Sequence, residues 1–196
     1  MISDCTALIL AGGDSRRMGQ DKALLLLDGK TLLEHVTASM QSVFPKVIVS
    51  VRRLREDVDT PQVCDEVEAS GPLAGLIAGL AQVDTPWIFV VACDMPFVSE
   101  TVVMHLAKLR ASHQAVVPVA HGHIQPMAAF YATNTLDVMR EAFSTGDKSL
   151  RGILDKINVR YVGEQELRES DPQLKSFFDL DTPQDFEQVA LMNVLK

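Results

Sequence analysis

Short apolar runs alternate with amphipathic stretches along this chain, starting from its first residues. Residues 7–10 read as a buried strand and Lys46–Val51 as a β-branched one. Between them Leu32, Leu33, Val36, Met40 and Val43 recur at helical spacing. Thr31 and Glu34 are placed for a capping box in front of that helix, and Pro45 stands just beyond it. Pro72 suits the first turn of a second helix, in which Leu73, Leu76, Ile77 and Leu80 share a face. Trp87–Ala92 is an unbroken apolar run of strand length, the pattern of a parallel strand covered on both sides. Ser99 is placed to cap a third helix carrying Val102, Val103, Leu106 and Leu109. Residues 115–119, 127–132, Val159–Val162 and 177–180 supply further strands, and Thr182-Pro183 opens a last helix with Phe186, Val189, Ala190 and Met192. Residues 24–27 are too short and too uniformly apolar to assign, and Gly29-Lys30 turns the chain after them. Residues 163–176 are polar and read as a surface loop or short insertion.

Strands alternating with helices from the outset predict an α/β fold: a three-layer α/β/α sandwich around a Rossmann-like, mostly parallel sheet. No internal repeat, linker or shift in composition divides the chain, so residues 1–196 are expected to form a single domain. With 47% hydrophobic and 22% charged residues, the composition is globular. A net charge of −8 argues against a nucleic-acid binder. Cys5, Cys64 and Cys93 are scattered and unpaired in spacing, as in a reduced, cytoplasmic protein. No signal peptide is apparent, and the apolar runs are too short for a membrane span.

Within this acidic chain one loop is basic. The first strand runs into Gly12-Gly13, followed by Arg16, Arg17, Gly19 and Lys22. Glycine backbone can approach a phosphate closely and present its N–H groups, while the basic side chains add charge. The spacing fits neither a Walker A loop nor a dinucleotide fingerprint. A plain strand-to-helix turn is the bland alternative, and the density of charge argues against it. Ligands of open α/β sheets bind beyond the carboxyl ends of the strands, where both this loop and Asp94-Met95-Pro96 fall. A carboxylate beside a polyphosphate calls for a divalent cation between them. Mg²⁺ suits that position, with Asp94 as first choice of ligand. Asp179 and Asp181 repeat the arrangement at another strand end, and either could complete the metal shell. Gly71-Pro72-Leu73-Ala74-Gly75 opens a helix with small residues, serving close approach to a phosphate, tight helix packing against a neighbour, or both. His121-Gly122-His123 reads as a solvated turn, and Lys148, Arg151 and Lys156 as a basic helix face.

Taken in order, Leu10-Ala11-Gly12-Gly13, Arg17-Met18-Gly19 with Asp21-Lys22, Gly71-Pro72-Leu73-Ala74-Gly75, Cys93-Asp94-Met95-Pro96 and Asp181-Thr182-Pro183 resemble the molybdenum cofactor guanylyltransferases over almost the whole chain. The resemblance implies a fold of the nucleotide-diphospho-sugar transferase type. It also implies a reaction: GTP and molybdenum-molybdopterin yield molybdopterin guanine dinucleotide and pyrophosphate. By the same resemblance Leu10, Ala11 and Gly12 cradle the nucleotide, and the glycine loop and helix end add Gly13 and Gly71 as candidates. Arg17 and Lys22 face its phosphates, Asp65 helps hold the guanosine, and Asp94 binds Mg²⁺. Proteins that deliver molybdopterin or accept the finished cofactor are further implied partners. Ser50 stands where the family commonly has asparagine, so that contact is not carried over. Asp179 and Asp181 stand where asparagines are often found. The rival readings are a molybdopterin cytidylyltransferase, another small-molecule nucleotidyltransferase, and a GTP-binding module without turnover. Lys22 and Asp94 speak against the last.

Overall fold

The computed structural model describes residues 1–12, 21–64, 71–182 and 184–186. In chain order the strands are β1 (Cys5–Leu10), β2 (Leu26–Leu27), β3 (Lys30–Thr31), β4 (Lys46–Val51), β5 (Gln62–Cys64), β6 (Trp87–Ala92), β7 (Ala115–Ala120), β8 (His123–Ile124), β9 (Ala128–Ala132) and β10 (Val159–Val162). The helices are α1 (Leu32–Val43), α2 (Pro72–Gln82), α3 (Glu100–Ala107), α4 (Leu136–Ser144), α5 (Leu150–Leu154) and α6 (Glu164–Leu167), with short 3₁₀ turns at Lys22–Leu24, Thr133–Thr135 and Lys175–Phe177.

The main sheet runs β10-β7-β9-β6-β1-β4-β5, with β8 attached to β7. β1 lies centrally, parallel to both β4 and β6, and β4 pairs in parallel with β5. β9 alone on this path runs antiparallel to its neighbours, β6 and β7, while β7 and β10 are parallel to each other. The expected mostly parallel sheet is therefore present, with one reversed strand. Strand β1 alternates its side chains between two cores, as a pleated strand must. Ala7 and Ile9 pack with Val36 and Met40 of α1 and with Val103 and Leu106 of α3. Leu8 and Leu10 pack with Leu73, Leu76 and Leu80 of α2 and with α4 and α5. Helices thus cover both faces, giving the three-layer sandwich.

Local signals formed as read. Thr31 caps α1 and exchanges hydrogen bonds with Glu34 in a capping box. Pro72 occupies the first turn of α2, and the Ser99 hydroxyl accepts from the Val102 amide at the head of α3. Asp28 and Gly29, both at positive φ, make the tight turn between β2 and β3.

Two expectations are corrected. Residues 177–180 do not form a strand: Lys175–Phe177 is a 3₁₀ turn, entered from Leu174 in the left-handed conformation. Residues 163–176 are more than a surface loop, because α6 lies there and Leu167 and Leu174 are fully buried. Among the elements not anticipated are β8, β5 and α4. β5 is only three residues long and half-buried at the sheet edge, so its pattern is weak. Helix α4 did carry a signal in the spacing of Leu136, Met139 and Phe143.

Candidate active site

The carboxyl ends of β1, β4 and β6 lie side by side, and their ladders run one residue past the strands. The Ala11 amide donates to the Ser50 carbonyl at 2.9 Å, and the Cys93 amide donates to the Leu10 carbonyl at 3.1 Å. Leu10 and Ala11 are consequently buried in the sheet and form the floor of the expected phosphate loop, while Gly12 is half-buried at its entrance. Gly13, Arg17 and Asp65, the other residues expected around the nucleotide, lie outside the described residues.

Asp94 lies two residues past the end of β6, with its side chain 17% exposed. The Nζ of Lys22 donates to Asp94 Oδ2 at 3.0 Å and also to Asp181 Oδ1. Lys22 reaches them from the 3₁₀ turn Lys22–Leu24, and Asp21 caps that turn by accepting from the Ala23 amide at 3.0 Å. Asp181 arrives from the opposite end of the chain. The Leu180 amide donates to the Asp94 carbonyl at 2.9 Å, which pins the segment beside β6. Beyond it the Asp185 carboxylate accepts from the Asp181 and Thr182 amides at 2.9 and 2.6 Å. Residues 184–186 are helical, as Thr182 predicted, and Val189, Ala190 and Met192 lie outside the described residues. Of the two candidate aspartates, Asp181 meets Lys22, while Asp179 is exposed and acts on Asp94 through its charge.

The electrostatics follow from this geometry. Burial raises the Asp94 carboxyl above its ordinary value; the Lys22 ammonium pulls it down, and the charges of Asp181 and Asp179 push it up again. Burial disfavours the charged form of Lys22, but its bonds to Asp181 and Asp94 outweigh this and hold the ammonium firmly protonated. Two carboxylates therefore converge on one point already held by a cation. Hard oxygen donors of this kind fit a magnesium-like ion, which takes one or two carboxylates and completes its shell with phosphate oxygens and water. Among the described residues no larger cluster of His, Cys, Asp or Glu is assembled for a metal.

Gly71 caps α2 without a side chain, as a helix end open to an anion would require. The glycines after it serve packing. A Cβ on Gly75 would stand 2.6 Å from the Ser50 hydroxyl and 3.0 Å from Leu10 Cδ2, and one on Gly79 would stand 2.6 Å from Leu8 Cδ2. They let α2 lie against β1 and β4. Ser50 is itself buried under the helix.

A further group had escaped sequence reasoning. Arg55, in the segment between β4 and β5, donates through Nη1 to Asp21 at 2.6 Å and through Nη2 to Asp57 at 2.8 Å. Asp21 could be read as a cap from its place before the turn, but nothing in sequence links it to an arginine so far away.

Comparison with known proteins agrees with this architecture. A molybdenum cofactor guanylyltransferase of Syntrophotalea carbinolica is 32% identical over 93% of this chain and 89% of its own length. A probable molybdenum cofactor guanylyltransferase of Methanosarcina mazei is 34% identical over 94% and 89%. The crystal structure of molybdopterin-guanine dinucleotide biosynthesis protein A from Archaeoglobus fulgidus superposes with a TM-score of 0.86 at 28% identity, covering 97% of this chain and all of that one. A 2-C-methyl-D-erythritol 4-phosphate cytidylyltransferase from Thermus thermophilus shares the fold, with a TM-score of 0.70 at 20% identity over 95% of this chain and 97% of its own. The model of the MobA-like NTP transferase domain matches residues 7–162, from the first strand of the sheet to β10 at its far edge, and the chain belongs to that family.

Proposed function

We propose that this protein transfers GMP from GTP to molybdenum-molybdopterin, releasing pyrophosphate and forming molybdopterin guanine dinucleotide. The observation that carries the reading is the meeting of Lys22, Asp94 and Asp181 at the carboxyl edge of the parallel strands. The names of the relatives, molybdenum cofactor guanylyltransferase, supply the substrates.

In this reading a terminal phosphate oxygen of the pterin bonds to the α-phosphorus of GTP. The bond from that phosphorus to the bridging oxygen breaks, and pyrophosphate leaves with the electron pair. Such a reaction needs alignment and charge neutralisation more than a covalent group on the protein. Asp94 and Asp181 are the residues that would hold Mg²⁺, and the ion would supply charge neutralisation for the phosphates. Lys22 supplies a second positive charge at the same point. Leu10 and Ala11 set the floor beneath the phosphates with Gly12 at its entrance, and Gly13 and Arg17 are further residues assigned to the phosphates. Gly71 offers the open head of α2, and Asp65 holds the guanosine. The residues act as one nucleotidyltransferase domain in the cytoplasm, and proteins handing molybdopterin in and cofactor out are natural partners. Among the described residues no helix is long and apolar enough to cross a membrane.

The test is pyrophosphate release from GTP or CTP with molybdopterin supplied. Release with GTP and little with CTP supports the guanylyltransferase. The reverse preference makes the chain a cytidylyltransferase, and tight GTP binding without release makes it a nucleotide-binding module. Asp94→Ala is expected to abolish transfer with the fold intact by circular dichroism. Undiminished release in that variant removes Asp94 from the mechanism.

A further inference from the structure

Lys22 can serve the site only if its turn is held in place, and the structure shows what holds it. Asp21 spends one carboxylate oxygen on the Ala23 amide at 3.0 Å and offers the other to Arg55 Nη1 at 2.6 Å. The guanidinium is itself fixed. Its Nε and Nη2 grip the two oxygens of Asp57 at 3.2 and 2.8 Å, a fork that leaves Nη1 aimed at Asp21. Only 14% of the Arg55 side chain is exposed against 42% of that of Asp21, so the guanidinium is packed in place and meets Asp21 at the surface. The backbone beneath is anchored independently. The Arg55 amide donates to Gln62 Oε1 at 2.9 Å, and Gln62 Nε2 donates to the Arg55 and Val58 carbonyls at 2.8 and 3.0 Å. Gln62 begins β5 and is registered against Val49 of β4. A continuous brace thus runs from the sheet edge through Gln62, Arg55 and Asp21 to the turn that carries Lys22.

Resting on the reading of the site given above, we propose that Arg55 is a positioning residue that sets Lys22 against Asp94 and Asp181 by clamping Asp21. Arg55 touches neither acidic partner of Lys22; its influence passes through the capped turn. Because its main chain is tied to Gln62, shortening the side chain releases Asp21 without unmooring the segment. Displacing a reactive-site group by about an ångström costs on the order of a hundredfold in rate.

The experiment compares Arg55→Gln with Asp21→Asn, which keeps an oxygen to cap Ala23 but loses its charge on Arg55. Each is made in the wild-type chain and in Lys22→Ala. Both single variants are expected to lower kcat by about 10- to 100-fold with smaller changes in KM for GTP, and Arg55→Gln combined with Asp21→Asn in one chain is expected to be no worse than either. In the Lys22→Ala chain, Arg55→Gln should change the rate little, because the group it positions is gone. A merely structural arginine would instead cost the same factor in both chains. Arg55→Lys, which can meet one carboxylate but not fork two, should fall between and serves if Arg55→Gln does not fold. A readout independent of turnover is competitive acetylation followed by mass spectrometry. Arg55→Gln should raise labelling of Lys22 several-fold while Lys46, paired with Asp84 at the amino end of β4, stays unchanged. Unchanged Lys22 labelling, or a rate loss of equal size in the Lys22→Ala chain, overturns the proposal. If the wild-type chain transfers no GMP, the functional reading fails, and the labelling alone decides the brace.

Discussion

Replacing Lys22 by methionine keeps the length of the stem and deletes the charge, which isolates what the ammonium does for its two aspartates. Without it, Asp94 and Asp181 face each other uncompensated at a point where side-chain exposures are 17% and 39%. Removing one partner of a fully buried pair costs about 3–5 kcal/mol, and a fully exposed pair contributes about 0–1 kcal/mol. This site lies between those limits, and the more exposed Asp181 is discounted for screening, which gives about 1–3 kcal/mol. For a chain of this size each kcal/mol moves Tm by roughly 2–4 °C, so Lys22→Met should melt about 2–12 °C lower in a chelator. The pH dependence has a definite sign. Asp94 is raised above its ordinary 3.8, so its contribution to stability is fully present below that value and is lost as pH rises through the folded value. Removing Lys22 raises Asp94 further, and the gap between variant and wild type should widen from about pH 4 toward neutrality. Lys22 is raised above 10.5, so its stabilisation is complete below that pH and fades as the ammonium titrates above it. Thermal melts by circular dichroism between pH 4 and 8 measure the gap. Millimolar Mg²⁺ should recover part of it in the variant, where no ammonium competes for the carboxylates. Equal Tm values across that range would refute the reasoning, since they would mean that solvent already screens the contacts.

Other consequences are as direct. Gly75→Ala places a Cβ 2.6 Å from the Ser50 hydroxyl and 3.0 Å from Leu10 Cδ2. The overpacking, about 1–3 kcal/mol, should exceed the gain of about 1 kcal/mol in helix propensity. Tm should fall, and Ser50→Ala in the same chain should recover part of the loss; a Gly75→Ala protein more stable than wild type would contradict the packing of α2. Burial pushes the thiols of Cys5 and Cys93 far up, whereas Cys64 is half-buried on the edge strand β5. A chromogenic disulfide reagent at pH 8 should therefore titrate Cys64 quickly and the other two only after denaturation, and two fast thiols would show that one of the buried sites is open.

Most of the fold could be read from the chain because its signals are short-range. The Thr31–Glu34 box, Pro72 and Ser99 act within a single turn, and Trp87–Ala92 states its own burial in six apolar residues. Where the signal depended on what lay opposite, the reading failed. Phe178 to Asp181 alternate like a strand, yet after the Lys175–Phe177 turn the Leu180 amide bonds to the Asp94 carbonyl, past the end of β6, and no ladder forms. A strand exists by its pairing, and the sequence of one segment does not contain its partner. The reversal of β9 escaped for the same reason, since an apolar run has no direction.

The site divides along the same line. Sequence alone placed Lys22 after a glycine loop and Asp94 after a buried strand, because strand ends of an open sheet share an edge. It left Asp179 and Asp181 as equals, and gave no sign of Arg55. Lys22 is 72 residues from Asp94 and 159 from Asp181, so their meeting is a property of packing rather than of any local motif. The chain by itself fixed which residues had the chemistry. The folded sheet decided which of them come together, because only close approach turns separate charges into one interacting cluster.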